Sequence, residues 1–185
     1  MFTGIVQAVG RIVRTNPLEV EGGGLDLAGV AVGDSICVQG VCLTVTAVTA
    51  RGFTADVSEE TLRVTTGLDR PGAVNLEKSL ALGDRLGGHL VTGHVDGVGE
   101  VTLKDKTQVA IRIPPHLARY VARKGSICVD GVSLTVNRVE GDELEVNLIP
   151  HTLEVTTLSR LAPGAKVNLE VDLVARYVER MLHGA

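Results

Sequence analysis

The sequence predicts an all-β protein built from two copies of one small antiparallel barrel, followed by a single helix. Three observations support this fold class. The segment from Ser35 to Val45 reappears as Ser126 to Val136 with only two changes. Valine is the commonest apolar residue and the chain contains 22 glycines, a pattern typical of short strands joined by tight turns. The apolar residues near the end of the chain recur at helical spacing.

Further segments recur in the same order, so the duplication extends over a whole domain. The matched pairs are 3–6 with 92–95, 60–66 with 151–157, and 71–77 with 163–170. Two copies separated by small insertions indicate tandem domains and not a solenoid. We therefore expect an N-terminal barrel at 1–86, a C-terminal barrel at 87–172 and a terminal helix at 173–185.

Each copy contains a predicted hairpin. The turns are Gln39-Gly40 and Asp130-Gly131, and Asp-Gly is a strong two-residue hairpin signal because both central positions tolerate a positive φ. After the first turn, Cys42 and Thr44 point to one face while the alternate residues point to the core. In the second copy, the same two positions are Ser133 and Thr135. Each copy thus presents a short polar pair beside its hairpin.

The remaining elements are a connection and a tail. Residues 78–90 join the two copies, and their glycines suit a bend. Residues 173–182 predict an amphipathic helix, which either covers its own domain or packs against another subunit. Asp172 is placed to cap this helix, and His183 with Gly184 suits its C-terminal end.

Composition excludes several classes of protein. The net charge is −4 without a cluster of Lys or Arg, and only four residues are aromatic, so nucleic-acid and anionic-membrane binding are disfavoured. No apolar run approaches the ~20 residues of a membrane span, and the N-terminus lacks signal-peptide features. Three cysteines suit neither a disulfide framework nor a zinc site. We expect reduced thiols in the cytoplasm.

Chemistry is indicated by polar residues at matched positions of the repeat. No nucleotide-binding, hydrolase or zinc-protease motif is present, so we expect no cofactor and no metal. His94 stands where the first copy has Ile5, which favours a functional role, whereas His89, His116, His151 and His183 are expected to be structural or exposed. Each hydroxyl alone also fits an ordinary strand position. The matched polar pairs are Cys42 and Ser133, Thr44 and Thr135, Asp56 and Asn147, Thr61 and Thr152.

Together these residues resemble the riboflavin synthase family over essentially the whole chain. The segments that carry the resemblance are Met1 to Val6, Gly40 to Val45, Glu60 to Arg63, Gly87 to Gly97, Asp130 to Val136 and Leu148 to Leu153. Two positions depart from the family pattern: Gln39, where many members have Asn, and His151, where some have Glu. The first change lies outside the polar pair, and the second would alter ribityl contacts.

The resemblance implies a fold, a reaction and an assembly. The fold is two six-stranded antiparallel Greek-key barrels with a C-terminal helix. The reaction is a dismutation in which two 6,7-dimethyl-8-ribityllumazine molecules exchange a four-carbon unit to give riboflavin and 5-amino-6-ribitylamino-pyrimidinedione, without a cofactor. Family members are usually homotrimers whose active site lies between the N-barrel of one subunit and the C-barrel of another. The resemblance also implies an association with lumazine synthase.

The resemblance also assigns roles to residues. His94 would shuttle protons near neutral pH, Ser133 and Thr135 would place hydroxyls or a water at the acceptor ring, and Asp172 would hold a base or carry protons. The implied catalytic residues are His94, Ser133, Thr135, Asp172, Cys42, Thr3 and Phe2. The implied substrate-binding residues are Gly4, Ile5, Val6, Ser35, Cys42, Leu43, Thr44, Asp56, Val57, Ser58, Glu59, Glu60, Thr61, Gly93, His94, Val95, Lys124, Asp130, Ser133, Leu134, Thr135, Leu148, Ile149, Pro150, His151, Thr152 and Leu153.

Two other functions are compatible with such a duplicated barrel. Lumazine proteins of luminous bacteria resemble this fold but only carry a lumazine or flavin, and their catalytic positions are degraded. Here Cys42, His94, Ser133 and Asp172 are all present, which favours the enzyme. A structural barrel without a ligand leaves the paired polar positions unexplained.

Overall fold

The computed structural model describes residues 1–183, so the helix end expected at Gly184 lies outside the described residues. The first barrel closes with the strand order β1-β2-β5-β4-β3-β6. A short helix, α1 (Glu59–Val64), lies between β5 and β6. The strands are β1 (Ala8–Thr15), β2 (Leu18–Glu21), β3 (Ser35–Val38), β4 (Val41–Val48), β5 (Gly52–Ala55) and β6 (Gly72–Lys78).

The second barrel repeats this path. Its strand order is β10-β11-β8-β7-β12-β9. Read around the closed barrel from β7, this is β7-β8-β11-β10-β9-β12, which is the order of the first barrel with six added to each strand number. The strands are β7 (Gly97–Asp105), β8 (Gln108–Arg112), β9 (Ser126–Val129), β10 (Val132–Glu140), β11 (Glu143–Asn147) and β12 (Lys166–Val171). Its helical segments are α2 (Pro150–Val155) and 3₁₀ turns at Pro115–Tyr120 and Thr157–Arg160. The predicted pair of six-stranded antiparallel barrels is confirmed.

Both predicted hairpins form with two-residue turns. Gln39 and Gly40 have φ values of 51° and 87°, and Asp130 and Gly131 have values of 49° and 81°. In each hairpin, the residues that flank the turn face each other directly across the strand pair. The predicted alternation also holds, because the apolar residue between the polar pair of each copy is buried. The polar pairs therefore lie on the outer faces of the barrels.

Each barrel has its own apolar core, and a third small cluster joins them. The first core includes Ile12, Leu18, Phe53 and Leu76, and the second includes Ile111, Leu144, Leu148 and Leu169. Burial of each such side chain contributes about 1.5–3 kcal/mol. The third cluster, which we call the central cluster, consists of Phe2, Cys37, Val91 and Cys128. It draws residues from both copies and packs one barrel against the other.

The predicted terminal helix is α3 (Leu173–His183). The Oδ1 atom of Asp172 accepts a hydrogen bond of 3.0 Å from the Val174 backbone N–H, so Asp172 caps the helix as predicted. Arg176 of α3 forms an ion pair of 2.7 Å with Asp96, which fastens the helix to its own barrel. The outward side is apolar and exposed at Val174, Tyr177, Val178, Met181 and Leu182. No helix within residues 1–183 is long and apolar enough to span a membrane.

Candidate active site

The segments that lead into the two barrels cross each other at the interface between them. Phe2 and Val91 exchange backbone hydrogen bonds of 2.7 Å and 3.1 Å, and so form an antiparallel bridge. We call residues 2–6 and 91–95 the crossing segments. They are matched parts of the repeat, so the bridge lies on an approximate twofold axis that relates the two copies.

Beyond the bridge, each crossing segment runs along the other barrel. The carbonyl oxygen of Gly4 accepts a 2.8 Å bond from the Ser133 N–H, and that of Gly93 accepts a 2.9 Å bond from the Cys42 N–H. A Cβ atom on Gly4 would lie 2.6 Å from the Ser133 Cβ, and one on Gly93 would lie 2.6 Å from the Cys42 Cβ. Both glycines also have positive φ values, so only glycine fits this close approach.

A cleft forms where the first crossing segment meets the second barrel. Its residues come from both copies, since Gly4, Ile5 and Val6 face the start of β10 and the first turn of α2, namely Ser133, His151 and Thr152. The repeat places Gly93, His94, Val95, Cys42, Glu60 and Thr61 at the equivalent positions around the first barrel. The two matched surfaces differ in charge and hydrogen bonding at Ile5 against His94, at Cys42 against Ser133 and at Glu60 against His151.

A buried histidine approaches the polar pair of the second barrel. The Nδ1 atom of His89 lies 2.7 Å from the Ser133 Oγ atom. The backbone N–H of His89 donates a 3.1 Å hydrogen bond to the Thr3 carbonyl. Burial lowers the pKa of His89, and the negative charge of Asp172 opposes that shift. A neutral imidazole in this position can accept the proton of the Ser133 hydroxyl.

Comparisons with known proteins agree with this duplicated architecture. The model of the lumazine binding domain matches the chain twice, over residues 3–79 and 92–172. Riboflavin synthase of Mycobacterium bovis is 50% identical to this chain, and the alignment covers 100% of both chains. Riboflavin synthase of Bacillus subtilis is 40% identical, and the alignment covers 100% of this chain and 91% of the relative. The chain belongs to the riboflavin synthase family.

A solved structure of LumP complexed with riboflavin shares the fold of this riboflavin synthase family member. Its TM-score is 0.80 at 28% identity, and the match covers 92% of this chain and 99% of LumP. LumP complexed with 6,7-dimethyl-8-(1'-D-ribityl) lumazine matches with a TM-score of 0.79 at 26% identity. The fold of this chain is therefore one that holds lumazine and flavin rings in at least one solved relative.

Several residues that the riboflavin synthase resemblance marks as catalytic lie on exposed or half-buried surfaces near the crossing. His94 is exposed on the second crossing segment, and its carbonyl accepts a 3.4 Å bond from Arg176 of α3. Cys42 and Ser133 are half-buried beneath the crossing glycines. Thr135 is exposed on β10, two residues after Ser133. Asp172 is half-buried at the start of α3.

Phe2 and Thr3 are instead buried. The Phe2 ring is 0% exposed within the central cluster, and Thr3 is 5% exposed. The Thr3 hydroxyl donates a 2.6 Å bond to the Glu77 carboxylate. Within this chain these two residues hold the first crossing segment in place. The Phe2 ring is enclosed, whereas Thr3 lines a cleft together with Ile5 and Glu77.

The implied substrate-binding residues other than Asp130 fall into three groups. Residues 4–6, 93–95 and the polar pairs lie at the crossing, and so does the first turn of α2, where His151 and Thr152 line the cleft beside Gly4. The implied residues of α2 are Ile149, Pro150, His151, Thr152 and Leu153, and their repeat partners at α1 include Ser58, Glu59, Glu60 and Thr61. A second group, Leu43, Leu134 and Leu148, is buried in the barrel cores. A third group lies elsewhere on the surface: Asp56 and Val57 line a cleft beside Pro17 together with Glu59, Ser35 lines a separate cleft beside Lys78, and Lys124 is exposed at a turn.

Asp130 belongs to a buried network between the barrels. Its Oδ1 atom accepts a 2.8 Å bond from the Asn168 N–H, as the Gln39 Oε1 atom accepts one of 2.9 Å from the Asn75 N–H. The amide groups of Asn75 and Asn168 donate across the interface to the carbonyls of Asp130 and Gln39 at 2.8 Å and 2.9 Å. Burial raises the pKa of Asp130 to about 7, and the hydrogen bond from the Asn168 N–H opposes this shift.

Sequence reasoning missed several residues at this interface. It assigned His89 a structural or exposed position, and nothing in the connection between the copies pointed to its bond with Ser133. It also missed Glu77 and Glu170, whose carboxylates bind the crossing segments. The available signal was that these two acids occupy matched places in strands β6 and β12, at the end of the repeated segment Val-Asn-Leu-Glu.

Proposed function

We propose that the chain converts two molecules of 6,7-dimethyl-8-ribityllumazine into riboflavin and 5-amino-6-ribitylamino-pyrimidinedione. Four carbon atoms move from one molecule to the other, so two identical substrates have to meet head to tail. The observation that carries the proposal is the approximate twofold relation between the crossing segments, which builds two matched ligand surfaces from one duplicated sequence. The full-length similarity to riboflavin synthases supports it.

The twofold relation would supply much of the rate enhancement. In the proposed assembly, the first-barrel surface of one subunit faces the matched second-barrel surface of another, so the two rings lie antiparallel and stacked. Well-aligned partners gain up to ~7–11 kcal/mol from proximity and orientation. The surfaces also have to differ, because one substrate donates the four-carbon unit and the other accepts it. We assign that difference to Ile5 against His94 and Cys42 against Ser133.

We assign the proton transfers to residues near the crossing. His94 removes the proton from the C7 methyl group of one lumazine, because imidazole is the side chain that most often acts as a general base in enzymes. Ser133, with His89 as its hydrogen-bond partner, places a hydroxyl or an activated water at the other ring, and Thr135 lies beside it. Asp172 provides a negative charge near His89.

The remaining site residues are proposed in two roles. Phe2 and Thr3 position the first crossing segment. Ring edges and ribityl hydroxyls contact the crossing segments, the polar pairs and the first turns of α1 and α2. We propose domain boundaries at 1–86 and 87–172, with 173–185 as the terminal helix, because the central cluster and the crossing lie between the two barrels.

We propose a homotrimer gathered by α3, with each active site formed between the N-barrel of one subunit and the C-barrel of another. The support is the exposed apolar side of α3, where Tyr177 is 65% and Met181 is 82% exposed. The three free cysteines support a location in the cytoplasm, where thiols stay reduced. The family resemblance is the basis for proposing an association with lumazine synthase.

A second candidate function is a non-catalytic carrier of lumazine or flavin. The observation that favours it is the fold shared with LumP, which is solved in complex with both kinds of ligand. A carrier needs only one ligand surface, whereas this chain keeps polar residues at the crossing of both copies.

One experiment separates the enzyme from the carrier. Purified protein is mixed with 6,7-dimethyl-8-ribityllumazine alone, and riboflavin is followed by absorbance and fluorescence. One riboflavin for every two lumazines consumed, over many turnovers, is the result expected of the enzyme. Tight binding with an unchanged ligand spectrum over hours would identify a carrier and contradict the proposed reaction. Sedimentation of the same sample tests the trimer, which predicts a species of three chains.

A further inference from the structure

Two buried carboxylates hold the crossing segments through matched sets of hydrogen bonds. Glu77 on β6 accepts bonds from the Thr3 N–H at 2.7 Å, the Thr3 hydroxyl at 2.6 Å and the Gly4 N–H at 2.9 Å. Glu170 on β12 accepts the equivalent bonds from Thr92 and Gly93 at 2.7, 2.6 and 2.8 Å. Each glutamate is only 3% exposed. We call each set a carboxylate clamp.

The threonines extend each clamp to the next residue of the crossing segment. The Thr3 hydroxyl donates to Glu77 and also accepts a 3.1 Å bond from the Ile5 N–H. The Thr92 hydroxyl donates to Glu170 and accepts a 3.3 Å bond from the His94 N–H. Each clamp therefore fixes the backbone at Ile5 or His94, one of the matched positions where the two proposed ligand surfaces differ.

The clamps act across the interface, because each crossing segment faces the opposite barrel. Glu77 belongs to the first barrel, yet the segment that it holds lines the cleft beside Ser133 of the second. Glu170 belongs to the second barrel, yet its segment contacts Cys42 of the first. The same crossed relation appears in the hydrogen bonds from Ser133 and Cys42 to the segment carbonyls.

We infer that Glu77 and Glu170 are crossed positioning residues, each of which sets one wall of the ligand surface on the opposite barrel. Charge is part of this role. An ionised carboxylate accepts hydrogen bonds from all three donors, whereas a glutamine would point an N–H₂ group, itself a donor, at one or more of them. Loss of a clamp would loosen the far barrel's surface and leave its own barrel's surface in place. The meaning of these surfaces rests on the proposed function, but the crossed effect is measurable without substrate.

The test is amide hydrogen exchange, resolved to single residues, in the full-length protein and its variants. Glu77→Gln should accelerate exchange of the Ser133 amide by ~10-fold or more and leave the Cys42 amide unchanged. Glu170→Gln should do the reverse. Exchange in strands β2 and β8 reports any general loss of stability. Glu19→Gln and Glu100→Gln remove exposed surface pairs from the first and second barrel, and are the matched controls.

A second pair of variants keeps the test decisive if a glutamine variant does not fold. Thr92→Val removes only the hydroxyl from its clamp, whereas Thr92→Ser retains it. The valine variant should accelerate exchange at Cys42, and the serine variant should match the wild type. Acceleration confined to the barrel that carries the altered glutamate, or equal acceleration at Ser133 and Cys42, would overturn the crossed assignment. A protein that makes no riboflavin but shows the crossed pattern would instead contradict only the proposed reaction.

Discussion

Gly93→Ala tests the close approach of the second crossing segment to the first barrel. Gly93 has a φ of +79°, and an added Cβ would lie 2.6 Å from the Cys42 Cβ and 2.7 Å from the Cys42 backbone nitrogen. These neighbours are a strand backbone and the base of a side chain, so neither can rotate away. The segment itself has to move, and the 2.9 Å bond between the Cys42 N–H and the Gly93 carbonyl has to lengthen.

Two contributions set the size of the effect. A left-handed backbone conformation costs a residue with a Cβ about 1–2 kcal/mol, and overpacking adds about 1–3 kcal/mol. Gly67 separates the two, because its φ is +86° and an added Cβ meets nothing within 4 Å. We therefore expect Gly67→Ala to lower the free energy of unfolding by about 1–2 kcal/mol, and Gly93→Ala by about 2–5 kcal/mol.

Denaturant unfolding of both variants measures this difference, and riboflavin formation measures its effect on the site. A shift of about 1 Å in a positioned group can lower a rate by roughly 100-fold, so Gly93→Ala should lose far more activity than Gly67→Ala. If the two variants were equally stable and equally active, the contact between Gly93 and Cys42 would have no role in either property.

Three further predictions concern titratable residues. His94→Gln should lower riboflavin formation more than lumazine binding, and equal losses in steady-state kinetics and in a binding titration would contradict its role as a proton shuttle. His89→Phe removes the 2.7 Å contact with Ser133 and should lower turnover about tenfold or more, with thermal unfolding as the control for packing. The folded-state pKa of Asp130, about 7, lies above the roughly 3.9 of an unfolded chain, so the folded protein binds more protons between these values. The free energy of unfolding of the wild type should therefore fall as pH rises from about 4 to about 7, by up to about 4 kcal/mol, and Asp130→Asn should lack this fall. Denaturation of both proteins across that range measures the difference, and parallel pH profiles would contradict the assignment.

Local chemistry made much of the fold predictable. The Asp130-Gly131 turn, the alternation that follows it and the helical spacing after Asp172 depend on near neighbours in the sequence. The repeat then predicted the same turn at Gln39-Gly40, although Gln-Gly by itself is only a weak hairpin signal. The short strands and frequent turns indicated an antiparallel barrel, but the number of its strands came from the family resemblance, since no local pattern counts strands.

The candidate site was less predictable because it depends on contacts between distant residues. Gly4 meets Ser133, and His89 meets the same serine, only after both barrels have formed and docked. Residue type alone cannot show whether a threonine such as Thr3 faces a ligand or a buried carboxylate. Glu77 was recognisable as a matched position in the repeat, but its partners are set by the crossing, which has no signature in either copy.

The crossing also has a consequence for the order of folding. Phe2 pairs with Val91, and Gly4 pairs with Ser133, so these contacts close very long loops of chain. Contacts of such separation form late, and domains of a growing chain tend to fold in the order of synthesis. The first barrel can bind Thr3 to Glu77 while the second is still being made, but neither ligand surface has both of its walls until the two barrels dock. Docking of the barrels is thus the step at which the chain becomes able to hold its substrates.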